Sequence, residues 1–323
     1  MPVPEVELEL GSMDQVELQQ VQWLWEPYIP FNKITMLLGD PGEGKTTLAL
    51  WLAAACTTGE VLPGMKSMAP FNVIYQSAED GLADTIKPRL MDAGADQSRI
   101  FFVKEDKKPL TLLDQRIEEA ICEAEARLMI LDPIQAFLGG RVDMNRANEV
   151  REVLGRVGAV AERTECAIFL LGHLNKAAGI SSAYRGLGSI DFRAAARSVL
   201  LVGSLRNDPN VRIMVHDKSS LAPKGKSRAF GLGDDKGFRW LDGYEDVTAN
   251  ALLCGAASDT KAAMAEELIR ELLSGGEEVP SEEVFSKAKE CGISERTVNA
   301  AKKNISGIQS VRRGNTWCWR LED

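Results

Sequence analysis

Between Ile34 and Leu50 the chain reads ITMLLGDPGEGKTTLAL. An uncharged, mostly apolar run enters a glycine-rich loop and leaves as a run of helix formers. Within it, Gly39-Asp40-Pro41-Gly42-Glu43-Gly44-Lys45-Thr46 satisfies the pattern G-x-x-x-x-G-K-[ST]. Glycines at these places let backbone N–H groups turn inward around a β-phosphate, and the helix that follows offers its positive end. Lys45 is expected to reach the β/γ oxygens and the Thr46 hydroxyl to complete a Mg²⁺ shell, with Thr47 next in the cradle. ATP and Mg²⁺ are therefore the expected ligands. The segment also constrains the fold, since it requires a buried strand, a tight loop and a helix in immediate succession.

The rest of the chain repeats that alternation. Strand candidates are residues 34–39, 71–77, 100–103, 127–132, 167–173, 197–203 and 211–217. Helical stretches are expected over 46–58, 81–93, 112–126 and 145–163. Apolar strands separated by helices predict an α/β fold with a doubly wound, mostly parallel sheet. The last two strands lie closer together and predict an antiparallel edge. Residues 1–20 are acidic and expected to be poorly ordered, 21–250 form the main domain, and 248–260 read as a linker. A small domain at 259–323 offers helices over 260–273, 281–291 and 294–305, with Ser281 and Ser294 as N-caps. Two short strands around Gly314-Asn315 follow. Val284, Ala288, Ile293, Val298, Ala301 and Ile305 would form its core, with Trp317 and Trp319 packed against the helices.

The net charge of −9 argues against an overall basic coat. From Val284 to Arg320, however, eight basic residues face only Glu290 and Glu295, so charge is segregated by domain. No stretch reaches the roughly 18 apolar residues of a membrane span, and the acidic start is unlike a secretory signal. A cytoplasmic location is expected. Six cysteines without a CxxC pair read as core packing.

Hydrolysis needs carboxylates beyond the phosphate loop. In RLMILDP, Asp132 ends an apolar strand and is expected to hold Mg²⁺. In VIYQSAED, Glu79 is favoured over Asp80 as the general base, the other carboxylate being left to cap the following helix. His173 ends the strand in FLLGH, at the carboxyl edge where doubly wound folds place ligands, and is read as a γ-phosphate sensor.

With these residues in hand, the chain resembles the RecA-like ATPases of mobile elements, specifically the RepA-type replicative helicase group, with RecA, DnaB and KaiC as more distant relatives. The resemblance covers about Gln20 to Tyr244. It rests on WLWEPYIPFNKITMLLGDPGEGKTT, YQSAEDG, LMILDPIQAFLGG, DMNRANEVREVL, LLGHLNKAAG and SAYRGLGSIDFRAAARSVLLV, in that order. It implies a ring, usually a hexamer, with ATP between neighbours and a positive side chain supplied in trans. Arg197 fits that position, Lys218 is a second candidate, and Arg193 could equally serve a salt bridge. Two segments, 139–148 and 176–189, would face the ring centre, where Arg141, Arg146, Lys176, Tyr184 and Arg185 suit single-stranded DNA. The tail resembles a winged helix-turn-helix, with Arg296 and Asn299 as base readers and Lys302, Lys303, Arg312 and Arg313 as phosphate contacts. The implied function is an ATP-driven DNA motor for a plasmid, prophage or related element. An ATP-gated assembly factor on DNA and a KaiC-like signalling ATPase are the alternatives.

Overall fold

A computed structural model describes residues 10–140, 146–174, 190–205, 208–231, 237–254, 261–274, 278–305, 307–314 and 316–321. A short hairpin, β1 (Trp23–Trp25) and β2 (Ile29–Pro30), precedes β3 (Ile34–Gly39) and α1 (Lys45–Thr58). Next come β4 (Asn72–Ser77), α2 (Lys87–Asp92), β5 (Ile100–Phe101), α3 (Arg116–Glu123), β6 (Ala126–Asp132) and the short α4 (Ile134–Phe137). The domain continues through α5 (Ala147–Thr164), β7 (Ala167–His173), α6 (Ile190–Ala195), β8 (Ser198–Leu205) and β9 (Asp208–Ser219). It closes with β10 (Arg228–Gly231), β11 (Arg239–Leu241) and α7 (Ala249–Cys254).

Nine strands form one sheet in the order β11-β10-β9-β8-β3-β7-β6-β4-β5. The segment from β8 to β5 is parallel, and β9, β10 and β11 add an antiparallel edge. This is the doubly wound arrangement expected from the alternation of strands and helices. All six residues of β3 are buried, as a strand covered by helices on both faces requires. One apolar layer gathers Met36, Met129, Leu170 and α5 side chains such as Val150 and Leu154. The opposite layer gathers Leu37, Ile130, Phe169 and most of α1, and includes an aromatic cluster in which Trp51 stacks on Phe238 and meets Trp240 edge-on.

Several local expectations shift, each for an identifiable reason. Residues 82–86 form a π-turn before α2, because Pro88 has no N–H to give the carbonyl of Asp84. Helix α3 starts late because Asp114 accepts hydrogen bonds from the Arg116 N–H and guanidinium. Part of the expected linker is helix: α7 buries Leu252 against Gly203 of β8, and Thr248 supplies its cap through the N–H of Ala251. Residues 10–21 carry a single 3₁₀ turn, Met13–Gln15, and are exposed throughout.

The tail holds α8 (Lys261–Leu273), β12 (Val279–Pro280), α9 (Ser281–Glu290), α10 (Glu295–Asn304), β13 (Ile308–Arg313) and β14 (Thr316–Leu321). Its strands form a separate antiparallel sheet, β12-β14-β13. All six expected core residues are buried there together, with Ala265, Ile269 and Trp319. Ser294 caps α10 by accepting from the Thr297 N–H at 3.3 Å. Ser281 does not cap α9, because Pro280 occupies the N-cap position. Trp317 also departs from expectation: it is 51% exposed, at the second rung from the hairpin turn and opposite Arg312. Of the cysteines, Cys56, Cys166, Cys291 and Cys318 are buried and Cys122 is exposed. Among the described residues no helix is long and apolar enough to cross a membrane.

One buried polar group ties the antiparallel edge to the hairpin. His216 on β9 is 2% exposed; its Nδ1 accepts from the Gly225 N–H at 2.9 Å and its Nε2 lies 3.0 Å from Ser198 Oγ. An accepting Nδ1 requires the neutral ring with its proton on Nε2. Burial pushes the pKa down to about 4, so the unfolded chain binds this proton more readily than the folded one. The stability involved is complete above the unfolded value of about 6.5 and is lost as pH falls from there through about 4. Urea midpoints are expected to drop between pH 7 and pH 5, and His216→Gln should flatten that slope.

Candidate functional site

The site is assembled by strand register. β3 pairs with β7 so that Gly39 lies opposite His173, and β4 pairs with β6 so that Ser77 lies opposite Asp132. The carboxyl ends of four parallel strands therefore open onto the same edge, where α1 begins.

The loop has the backbone that its glycines predict. Gly42 and Gly44 have φ of 81° and 85°, a left-handed conformation that side chains with Cβ resist. Gly39 is needed for a different reason: a Cβ there would stand 2.4 Å from the Val202 carbonyl oxygen. Gly44 occupies the N-cap of α1 without a side-chain cap, leaving the first turn's N–H groups to an external acceptor. Lys45 is 5% exposed and donates to the carbonyls of Gly39 and Asp40, both at 2.8 Å. Burial lowers its pKa, opposed by Asp132 first among the nearby carboxylates. A left-handed glycine loop, an uncapped helix start and a buried ammonium together fit a polyphosphate.

Thr46 Oγ1 donates to Asp132 Oδ2 at 2.8 Å, and Tyr75 Oη donates to the same oxygen at 2.9 Å. Burial raises the Asp132 pKa against these two hydrogen bonds and the Lys45 charge. A hydroxyl and a carboxylate side by side are the hard oxygen donors that Mg²⁺ takes, and a cation there would offset the cost of burying the carboxylate. The structure also separates the two neighbouring acids. Glu79 Oε1 lies 3.7 Å from His173 Nε2. Asp80 turns away, to Arg89 at 3.3 Å. His173 Nδ1 is buried with no partner among the described residues.

Arg197 and Lys218 lie elsewhere. Thr35 pairs with Ser198, so Arg197 stands level with the start of β3, about 17 Å along the strand from Gly39 at the usual rise per residue. Its side chain is exposed. Lys218 directs its ammonium at the carbonyls of Arg193, Ala194 and Ala196, between 2.8 and 3.0 Å, so each of its three N–H groups has an acceptor within the chain. Arg193 forms a buried ion pair with Asp217, the salt bridge considered for it. Arg146 is exposed beside Glu149. Arg141, Lys176, Tyr184 and Arg185 lie outside the described residues.

With this geometry in place, known proteins were compared. A family model, AAA_25, described as AAA domain, matches residues 3–179, more than half of the 323 residues. The chain belongs to this AAA domain family. It is similar to the DNA repair protein RadA of Halalkalibacterium halodurans, 27% identical over 182 residues, covering 56% of this chain and 36% of that one. It is likewise similar to RadA of Chlamydia pneumoniae, 27% identical over 153 residues, covering 46% of this chain and 30% of that one. The chain thus spans about a third of the length of these relatives. Among solved structures, the ATPase domain of a helicase superposes with a TM-score of 0.51 at 13% identity, covering 65% of this chain and 85% of that one. The common element is the fold, a RecA-like, mostly parallel sheet.

Within the AAA domain, several site residues escaped sequence reasoning. Tyr75, which holds Asp132, reads in sequence as an ordinary strand aromatic. Glu43 of the loop is braced by Ser204 Oγ at 3.2 Å and by Arg212 Nε at 3.5 Å, contacts that only the β8–β9 pairing creates. A cleft of about 330 Å³ beside Thr47 is lined by Trp51, Arg89 and Phe238, from three separate segments. In the tail, Lys302 is engaged by the Trp319 ring at 4.1 Å and by Ser310. Arg313 binds Glu278 through two contacts of 2.7 Å. Arg296, Asn299, Lys303 and Arg312 stand exposed.

Tyr75→Phe removes one of the two hydrogen bonds to a buried carboxylate and is expected to cost about 1.5–3 kcal/mol. Chemical denaturation at neutral pH reads this out directly.

Proposed function

We propose that this protein is an ATP-hydrolysing DNA motor, a RepA-like ring helicase or translocase serving replication of a plasmid, prophage or other mobile element. The observation that carries the reading is the convergence of Lys45, Thr46, Asp132, Glu79 and His173 at one sheet edge. Gly39–Thr47 cradle the phosphates, and Lys45 turns its ammonium to the β/γ oxygens. Thr46 and Asp132 would hold Mg²⁺, which when bound offsets phosphate charge. Glu79 accepts the proton of the attacking water, and His173 keeps that carboxylate oriented towards the γ-phosphate. The cleft at Trp51, Arg89 and Phe238 adjoins Thr47, where the base of the nucleotide extends.

Arg197 is too far from its own phosphate loop to act there, which supports a role on the site of a neighbouring subunit. Lys218 is the weaker trans candidate, since reaching a neighbour would sacrifice three internal hydrogen bonds. The tail, with its three helices and antiparallel hairpin, is read as a winged helix that contacts duplex DNA through Arg296, Asn299, Lys303 and Arg312. The two relatives named DNA repair protein favour DNA over a KaiC-like signalling role. They also leave an ATP-gated assembly factor on DNA as the second reading.

Lys45→Ala is expected to abolish ATP turnover; turnover at the wild-type rate would remove the phosphate loop from the mechanism. Arg197→Ala should leave ATP binding near normal while hydrolysis falls by roughly 10³–10⁵, as for other arginine fingers. A parallel loss of binding would make Arg197 structural. Stimulation of the wild-type ATPase by single-stranded DNA is the outcome that separates motor from assembly factor.

Deleting residues 259–323 should spare basal ATPase and weaken duplex binding. Within the tail, Lys303→Ala should weaken binding more than Arg313→Ala, because Arg313 is already neutralised by Glu278. Salt-matched anisotropy titrations measure both.

A further inference from the structure

Large apolar side chains exposed to solvent are concentrated in two places. Of the twelve such residues among those described, five lie between Leu10 and Val21 and four lie on β5 and the helical segment beside it. The second group is Leu82, Met91, Phe101 and Phe102, at 37%, 60%, 39% and 48% exposure. Strand β5 is the end of the nine-stranded sheet and pairs only with β4, so its outer backbone edge is open to another strand. Two clefts flank that edge. One, of about 340 Å³, is lined by Leu82, Ile86, Leu90 and Lys87. The other, of about 480 Å³, carries Lys104 and Arg116 as well as Glu119 and Glu123.

The first group has the pattern that such an edge would accept. In Asp14-Gln15-Val16-Glu17-Leu18-Gln19 apolar and polar residues alternate, which in an extended strand puts Val16 and Leu18 on one face and Glu17 on the other. Val16 is 62% and Leu18 is 99% exposed, so the segment is not covered by its own chain. It is also part of the shared domain, since the family match begins at residue 3. Resting on the ring reading above, we infer that residues 14–19 of one copy add as a strand to the β5 edge of the next. Val16 and Leu18 enter the apolar cleft at Leu82, Ile86 and Leu90, and Glu17 faces Lys104 and Arg116. Backbone pairing supplies affinity and the alternate side chains supply selectivity. Donor and acceptor are different surfaces of the same chain, so the contact is head-to-tail and can close into a ring.

Two variants of the full chain test this by light scattering after gel filtration, with ATP and Mg²⁺ present. Val16→Asp/Leu18→Asp alters only exposed side chains, and Phe102→Ser alters the edge; circular dichroism checks that each is folded. Each variant alone is expected to lose assembly and run as a monomer. Mixed together they should give a species of two chains, because one variant keeps an intact edge and the other an intact segment. Assembly of both variants like the wild type would overturn the inference while leaving the ring standing. Monomers that do not combine on mixing would overturn it too, since the segment would then act within its own chain. A wild-type chain that is itself monomeric would overturn the ring reading, and the inference with it.

Discussion

The parallel pairing of β3 on both sides, with β7 and with β8, is the constraint on which the rest depends. All six of its residues are buried, so a slip of one residue would turn apolar side chains out of one layer and force a different set into the other. That pairing stops the strand at Gly39, beneath the Val202 carbonyl, where there is no room for a side chain. The loop can then only rise from the sheet edge. The same ladder sets His173 beside Gly39, and the next ones carry Asp132 and Ser77 to the same level. Local glycine chemistry makes the loop possible; sheet register decides what it faces.

Burial then sets the electrostatics of that edge. Lys45 and Asp132 are both largely withdrawn from water and their pKa values move in opposite directions, each towards its neutral form. Their mutual attraction and the hydrogen bonds from Thr46 and Tyr75 oppose that movement. A site of this kind carries charged groups at some cost in stability and regains it from an anionic ligand with its metal ion. The neighbouring Glu79 remains exposed and close to His173, in a setting suited to handling a proton rather than holding an ion.

Much of this was legible in the sequence, and the exceptions share a cause. Gly42, Gly44, Lys45 and Thr46 act within one turn of backbone, so their spacing is their geometry. Asp132 and His173 end apolar strands, and in a parallel sheet such ends meet at one edge. The core of the tail followed from helical spacing. Lys218, Lys302 and Arg313, by contrast, read as free cations, yet each is engaged: by three carbonyls, by an aromatic ring, and by a carboxylate distant in sequence. Trp317 alternates in step with Trp319 but lies nearer the hairpin turn, outside the cluster that buries its partner. Helix α7 was taken for a linker because Leu252 gains its partner only from Gly203 of β8.

The sequence by itself determined the phosphate loop, the alternation of strands and helices, the two-layered apolar pattern and the segregation of charge into the tail. These depend on neighbours within a few residues, and backbone periodicity translates them directly. Tertiary structure alone decided which charges remain available. It sent Asp80 to Arg89 and left Glu79 by His173, placed Arg197 at the far end of β3 from its own loop, and gave Asp132 its hydrogen bond from Tyr75. Pairings of that kind are made by strand order and register, which juxtapose residues that no local pattern connects.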